Sequence, residues 1–185
     1  MSKGNSGLFH GTLGTTYQEN AQAETTFSDR GIEIPERLKG IISSLTENGD
    51  YISGGLSDFS MKDVSIISKE TGVEFAKVTT GGKTYLIRGN SKGTDIPETI
   101  VKEMVRNGGT LDFHSHPHND DCIPSGADRQ LMRYLHEITG QRTSSIVTPN
   151  GRTVLFGEHG VIETSSVSNL IDQEMRAMYE KLFGD

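Results

Sequence analysis

The chain has 185 residues, of which 32% are hydrophobic, and its net charge of −7 with scattered lysines and arginines argues against nucleic acid as the main partner. Its single cysteine, Cys122, excludes an intrachain disulfide. No run approaches the ~20 apolar residues of a membrane span, and the first residues lack the basic-then-apolar order of a signal peptide.

The composition divides the chain into two parts. Residues 1–32 are rich in Gly, Ser, Thr, Asn and Gln and carry few large apolar side chains, which predicts a flexible polar segment outside the core. Residues 33–185 are predicted to form one folded domain.

Hydrophobic periodicity and punctuating Gly, Pro and Ser residues predict the elements of this domain. Helices and strands alternate without an internal repeat, which indicates an α+β fold with one sheet and flanking helices. In chain order we predict a helix from Pro35 to Asn48, a helix from Ser60 to Gly72, strands 73–79 and Lys83–Arg88, a helix from Pro97 to Gly108, strand 110–116, a helix from Ser125 through Leu131, Leu135 and Ile138, strands 145–148, 152–156 and 161–163, and a last helix carrying Ile171, Met175, Met178 and Leu182.

The predicted strand 110–116 ends in the run His-Ser-His-Pro, the strongest chemical signal in the chain. Successive side chains of a strand alternate sides, so His114 and His116 should share one face while Leu111 and Phe113 take the other. Two neutral imidazoles and a nearby carboxylate would give a first-row metal three ligands. A fourth position would remain for water, as in a catalytic zinc site.

A second signal follows the histidines, where Ser125 and Asp128 begin the next predicted helix. Serine followed three residues later by an acidic residue is an ordinary helix cap and by itself implies no metal. The two interpretations are compatible, because a capped helix start would also fix Asp128 beside the histidine strand.

Together, the His-x-His-Pro run at 114–117 and the later Ser-x-x-Asp resemble the motif of the JAMM (MPN+) zinc metalloproteases of the prokaryotic type, over roughly residues 58–165. The resemblance implies an MPN/JAB-like, cytidine-deaminase-like fold, in which a mixed β-sheet is flanked by helices. It also implies a zinc ion bound by His114, His116 and Asp128.

The resemblance assigns two further roles. A glutamate on an earlier strand would hold and deprotonate the water at the zinc, and Ser125 would stabilise the oxyanion during amide hydrolysis. Glu74 is our choice, because it follows the helix terminator Gly72 at the start of a predicted strand; Glu70, at the end of the preceding helix, is the competitor.

The chain departs from the family pattern at one point. The usual spacing has seven residues between the second histidine and the serine, whereas residues 117–124 number eight here. We expect the extra residue to lengthen an acidic loop, in which His118 and Asp120 are surface residues rather than ligands. Cys122 is expected to be an incidental thiol, with metal contact as the alternative.

The resemblance implies that the substrate is a peptide or a ubiquitin-like protein, cleaved at an amide or isopeptide bond, with neither nucleic acid nor a membrane as partner. No long insertion flanks the motif, so ubiquitin chains are not assumed as substrate. A non-catalytic metal-binding interaction module, and the catalytic end of a secreted or toxin-like bacterial protein, are the alternatives. We accordingly expect a cytoplasmic protein or one exported as part of a larger chain.

Overall fold

A computed structural model of the chain describes residues 34–166. These residues form a mixed α+β fold, in which four helices flank one seven-stranded sheet. The elements are α1 (Glu36–Ser44), β1 (Tyr51–Gly54), α2 (Met61–Thr71), β2 (Phe75–Thr80), β3 (Lys83–Arg88), α3 (Glu98–Asn107), β4 (Thr110–Ser115), α4 (Gly126–Thr139), β5 (Thr143–Val147), β6 (Arg152–Gly157) and β7 (Gly160–Ser166).

The sheet has the strand order β1-β3-β2-β4-β5-β6-β7. Only β4 and β5 pair in parallel, and every other neighbouring pair is antiparallel. Parallel neighbours need a crossover connection, and α4 supplies it here. The strand with the histidines and the helix with Asp128 therefore belong to one β-α-β unit.

Apolar side chains cover both faces of the sheet and form two layers. The α3–α4 layer includes Met104 and Leu135, and the α1–α2 layer includes Leu38 and Ile67. Burying a side chain of this size stabilises the fold by about 1.5–3 kcal/mol. This packing fixes both helix pairs against the sheet. The sheet is therefore a rigid support for the side chains at the ends of its strands.

Strand β4 does not alternate as the sequence predicts. Val78 pairs with Leu111, but its neighbour Lys77 pairs with Phe113, so Asp112 is an extra residue that shifts the register. Leu111 therefore packs in the α3–α4 layer and Phe113 in the α1–α2 layer. The prediction that these two side chains share one face was wrong, because a β-bulge reverses the alternation without leaving a sign in the hydrophobic pattern.

Hydrogen bonds to Asp112 hold this bulge in place. Its carboxylate accepts from the hydroxyls of Thr79 at 2.6 Å and Thr110 at 2.8 Å. The consequence is that Leu111 lies on the same face as His114, whose ring contacts Phe156 of the α3–α4 layer with centroids 5.6 Å apart. The first histidine thus stands at the edge of an apolar layer.

Other differences from the predicted elements concern α1, β1 and the bounds of β5 and β7. Helix α1 ends at Ser44 rather than Asn48, because the Asp50 carboxylate accepts from the backbone N–H groups of Thr46 and Glu47 and forms a turn there. Strand β1 was not predicted. The predicted last helix and the segment 1–32 lie outside the described residues. Within residues 34–166, no helix has both the length and the apolar character required to cross a membrane.

Candidate metal centre

The two histidines converge at the carboxyl end of β4. The backbone N–H of His116 donates to the carbonyl of Val147 at 3.0 Å, which continues the pairing with β5 one residue beyond the strand. Both imidazoles are fully buried, and their Nε2 atoms lie 3.0 Å apart. Two nitrogen atoms therefore point at one small region of space.

A capping box at the start of α4 fixes Asp128 beside these rings. The Ser125 hydroxyl accepts from the backbone N–H of Asp128 at 3.1 Å, and Asp128 Oδ2 accepts from the backbone N–H of Ser125 at 2.6 Å. The fully buried carboxylate then lies with Oδ1 3.4 Å from His114 Nε2 and Oδ2 3.7 Å from His116 Nε2.

The protonation of His116 can be read from its surroundings. Its Nδ1 atom lies 2.7 Å from the carbonyl oxygen of Asp121. A carbonyl oxygen only accepts, so Nδ1 carries the proton, and in the neutral ring Nε2 presents a lone pair. Metal-binding histidines are commonly oriented by such a hydrogen bond on the other ring nitrogen.

Glu74 lies immediately before β2 and faces the same region. Its backbone N–H donates to the carbonyl of Asn90 at 3.0 Å, and its carbonyl accepts from Gly89 N–H at 2.8 Å. The side chain is fully buried, and one carboxylate oxygen lies within 4.8 Å of the ring nitrogens of His114 and His116. Glu74, His114 and His116 therefore form a buried group that could hold a metal ion.

The ionisation of these groups fits a cation between them. Burial, together with the charges of Asp128 and Asp121, raises the pKa of Glu74 to about 10. Burial also raises the pKa of Asp128, against the opposing effects of His116 and Ser125. Burial and the neighbouring His116 hold the pKa of His114 well below its usual range. A divalent cation would favour ionised carboxylates and neutral imidazoles together.

Unsatisfied hydrogen-bonding atoms concentrate at the same place. Seven buried side-chain atoms of the described residues have no hydrogen-bond partner, and four of them are Glu74 Oε1 and Oε2, Asp128 Oδ1 and His114 Nδ1. Leaving a buried polar group unpaired costs roughly 1–3 kcal/mol, so buried groups are normally satisfied. A ligand at this centre would satisfy the carboxylate oxygens, which supports the fit of the residues to a metal ion.

The remaining predicted site residues occupy different environments. Ser125 caps α4 and is nearly buried, with its hydroxyl beside Asp128. Glu70 is exposed near the end of α2, so Glu74 rather than Glu70 joins the histidines. His118 and Asp120 are exposed in the loop after the histidines. Cys122 is buried in the α3–α4 layer. The orienting carbonyl of Asp121 was missed, because a backbone contact leaves no signal in side-chain identity.

The metal-free protein should lose stability as the pH rises above about 7. The unfolded Glu74 carboxyl ionises above its ordinary pKa of 4.5, whereas the folded one stays protonated up to about 10, so the folded state binds the extra proton. The free energy of unfolding then falls by up to ~1.4 kcal/mol per pH unit. The raised pKa of Asp128 also lowers the free energy of unfolding as the pH rises. The lowered pKa of His114 has the opposite effect, but only below about pH 6.5, the ordinary pKa of histidine.

Urea unfolding of chelator-treated protein between pH 7 and 9.5 measures this slope. Glu74→Gln should flatten it, while Glu70→Gln, which changes an exposed glutamate, should leave it as in the wild type. Equal slopes in the wild type and Glu74→Gln would contradict the assignment of the buried proton to Glu74.

Comparison with known proteins gives no family assignment. No family model matches the chain, and no curated protein or solved structure is significantly similar to it.

Proposed function

We propose that this protein is a zinc-dependent hydrolase of amide bonds, a metallopeptidase or isopeptidase with an MPN/JAB-like fold. The spacing of the three ligand side chains carries this proposal. His114 Nε2 lies 3.0 Å from His116 Nε2 and 3.4 Å from Asp128 Oδ1, and His116 Nε2 lies 3.7 Å from the other oxygen of Asp128, Oδ2. Tetrahedral zinc with bonds of about 2.0–2.1 Å places its ligand atoms roughly 3.3 Å apart.

The composition of the ligand set supports a catalytic centre. Structural zinc sites are usually closed by four Cys or His ligands, whereas catalytic sites use three protein ligands and keep one position open. Here two imidazoles and two carboxylates converge, so a position stays open if Asp128 is the third ligand and Glu74 remains unbound as the base. Cys122 packs in the α3–α4 layer. When bound, zinc would polarise a substrate carbonyl and lower the pKa of a coordinated water towards about 7.

Glu74 would move the proton. Both of its carboxylate oxygens are buried and lack partners, and one lies within 4.8 Å of the histidine nitrogens. A neighbouring divalent charge lowers the pKa of a carboxyl, so Glu74 would be ionised in the loaded protein. It could then accept the proton of the attacking water and pass it to the leaving amine.

Ser125 would stabilise the developing charge on the substrate oxygen. Its Oγ accepts a hydrogen bond from Asp128 N–H, so the hydroxyl proton remains free for donation. A preorganised donor of this kind typically contributes a factor of about 10²–10³ in kcat. The substrate in this proposal is a peptide or a ubiquitin-like protein conjugate.

The matched pair Ser125→Ala and Ser60→Ala tests this function. Ser60 caps α2 with the same capping box, made with Asp63, but lies in a different element. Each substitution should lower the free energy of unfolding by about 1 kcal/mol through the lost cap. Only Ser125→Ala should also lower kcat, by roughly 100-fold.

The assay uses a fluorogenic peptide-amide library and isopeptide-linked diubiquitin, with zinc-loaded and chelator-treated protein. Chelator-sensitive hydrolysis that stoichiometric zinc restores would support the proposal. Absence of hydrolysis by the zinc-loaded wild type would contradict it, and equal activity losses in the two serine variants would remove the role of Ser125.

One observation favours a second candidate, a non-catalytic metal-binding module. The side chains of Glu74, His114, His116 and Asp128 are all fully buried, as in a site that only stabilises its fold. Such a module would bind zinc and gain stability from it but hydrolyse none of the substrates, so the same assay distinguishes the two.

A further inference from the structure

The chain after β3 folds back over the strand pair that carries Glu74. Gly89 and Asn90 both bond to the backbone of Glu74, at 2.8 and 3.0 Å. Asn90 N–H then donates to the carbonyl of Gly93 at 2.8 Å, which closes a tight turn. This turn brings Thr94 directly above Gly89.

Gly89 permits this approach because it has no side chain. A Cβ at Gly89 would collide with the carbonyl oxygen of Gly93 and with Thr94 Oγ1. The first of these contacts is with backbone, which cannot rotate away. The Thr94 hydroxyl therefore occupies the space of the missing side chain at position 89.

That space lies on the face of the sheet that carries the metal centre. Ala76, two residues after Glu74, and Ile87, two residues before Gly89, both belong to the α3–α4 layer. Glu74 and Gly89 lie one residue beyond the last pair of β2 and β3, Phe75 and Arg88, and the N–H of Gly89 donates to the carbonyl of Glu74 at 2.8 Å. The space above Gly89 therefore adjoins Glu74.

Thr94 is fully buried, yet Oγ1 has no hydrogen-bond partner among the described residues. The neighbouring Glu74 carboxylate is also buried and unpaired. Buried polar atoms are normally hydrogen-bonded, so Thr94 Oγ1 and the Glu74 carboxylate each require a partner that the described residues do not supply.

We infer that Thr94 is a substrate-contacting residue, whose hydroxyl hydrogen-bonds a backbone atom of the bound peptide beside Glu74. This inference rests on the proposed function and deepens it, since it assigns recognition of a peptide backbone to the turn at residues 89–94.

Thr80 provides a matched control for Thr94. It lies at the far end of β2, is almost fully buried, and also has an unpaired Oγ1. It likewise packs over a glycine, because a Cβ at Gly109 would lie 2.8 Å from Thr80 Oγ1. A threonine that only fills space should behave like Thr80.

Steady-state kinetics of zinc-loaded Thr94→Val, Thr94→Ser and Thr80→Val on the hydrolysed peptide amide test the inference. Valine keeps the shape of threonine and removes the hydroxyl, so Thr94→Val should raise KM about tenfold with kcat within twofold, the signature of lost substrate binding. Thr94→Ser should restore KM, and Thr80→Val should match the wild type. Zinc content should be unchanged throughout.

An unchanged KM in Thr94→Val would overturn the inference while leaving the hydrolase proposal intact. If the wild type hydrolyses no substrate, the proposed function fails, and the substrate contact of Thr94, which rests on it, fails with it. Should Thr94→Val fail to fold, Thr94→Ala serves with the same readouts.

Discussion

Zinc bound at one ion per chain is expected to be lost on His116→Ala and retained on His159→Ala. His116 directs Nε2 at the centre, where Nε2 of His114 lies 3.0 Å away, and its ring is oriented by the Asp121 carbonyl. Removing a direct ligand should weaken binding by more than the ~10–100-fold typical of second-shell changes. His159 is 92% exposed and lies in the turn between β6 and β7, so its loss should have no effect.

Elemental analysis after dialysis measures the stoichiometry, and thermal unfolding with added zinc measures the coupling to stability. An ion at 100 times its dissociation constant stabilises the folded state by about 2.7 kcal/mol. Wild type and His159→Ala should show this gain and His116→Ala should not. Native protein that contains no metal and gains no stability from zinc would contradict the metal centre itself.

Under the proposed function, replacing Glu74 by glutamine should separate metal binding from hydrolysis. Glutamine fills the same space and cannot accept the proton of the attacking water, so kcat should fall by about 10²–10⁴-fold. His114, His116 and Asp128 are untouched, and zinc should remain bound. The metal-free variant should also be more stable than the wild type at pH 8, because a buried carboxyl with a pKa of about 10 is replaced by a neutral amide.

Glu70→Gln is the control for this variant. Glu70 is exposed on α2 and lies outside the buried group, so rate and zinc content should equal those of the wild type. Activity retained in Glu74→Gln would move proton transfer to another residue, and activity lost together with zinc would instead make Glu74 a metal ligand.

The sequence predicted helix boundaries well where a local signal sets them. Helix α2 begins after Ser60 and α4 after Ser125, each with the predicted cap, and α2 and α3 end at Gly72 and Gly108 in the left-handed conformation. Strand β1 escaped prediction because it has only four residues and is held by pairing with the distant β3. The bulge at Asp112 also depends on a partner strand.

The candidate site follows the same rule. The pair His114 and His116 and the capped Asp128 are close in sequence, so spacing alone placed them on one β-α-β unit. Glu74 was chosen over Glu70 from its position after Gly72 at the start of a strand, and the fold agrees, since Glu74 joins the buried group while Glu70 is exposed on α2. The Asp121 carbonyl and the Thr94 hydroxyl could not be predicted, because their positions are set by a loop and a turn and not by side-chain type.

The loop of residues 117–124 is anchored independently at both ends. Before it, His116 is held by the carbonyl of Val147, and after it the capping box of Ser125 and Asp128 starts α4. Closing a loop of eight residues rather than seven costs only about 0.1 kcal/mol. Ile123, 69% exposed, is presented to solvent two residues before Ser125, and residues 118–120 are exposed as well. Asp121 differs from them, because its carbonyl lies 2.7 Å from His116 Nδ1. The exposed positions of the loop can therefore change without touching the histidines, whereas a change that displaces Asp121 would release the ring of His116.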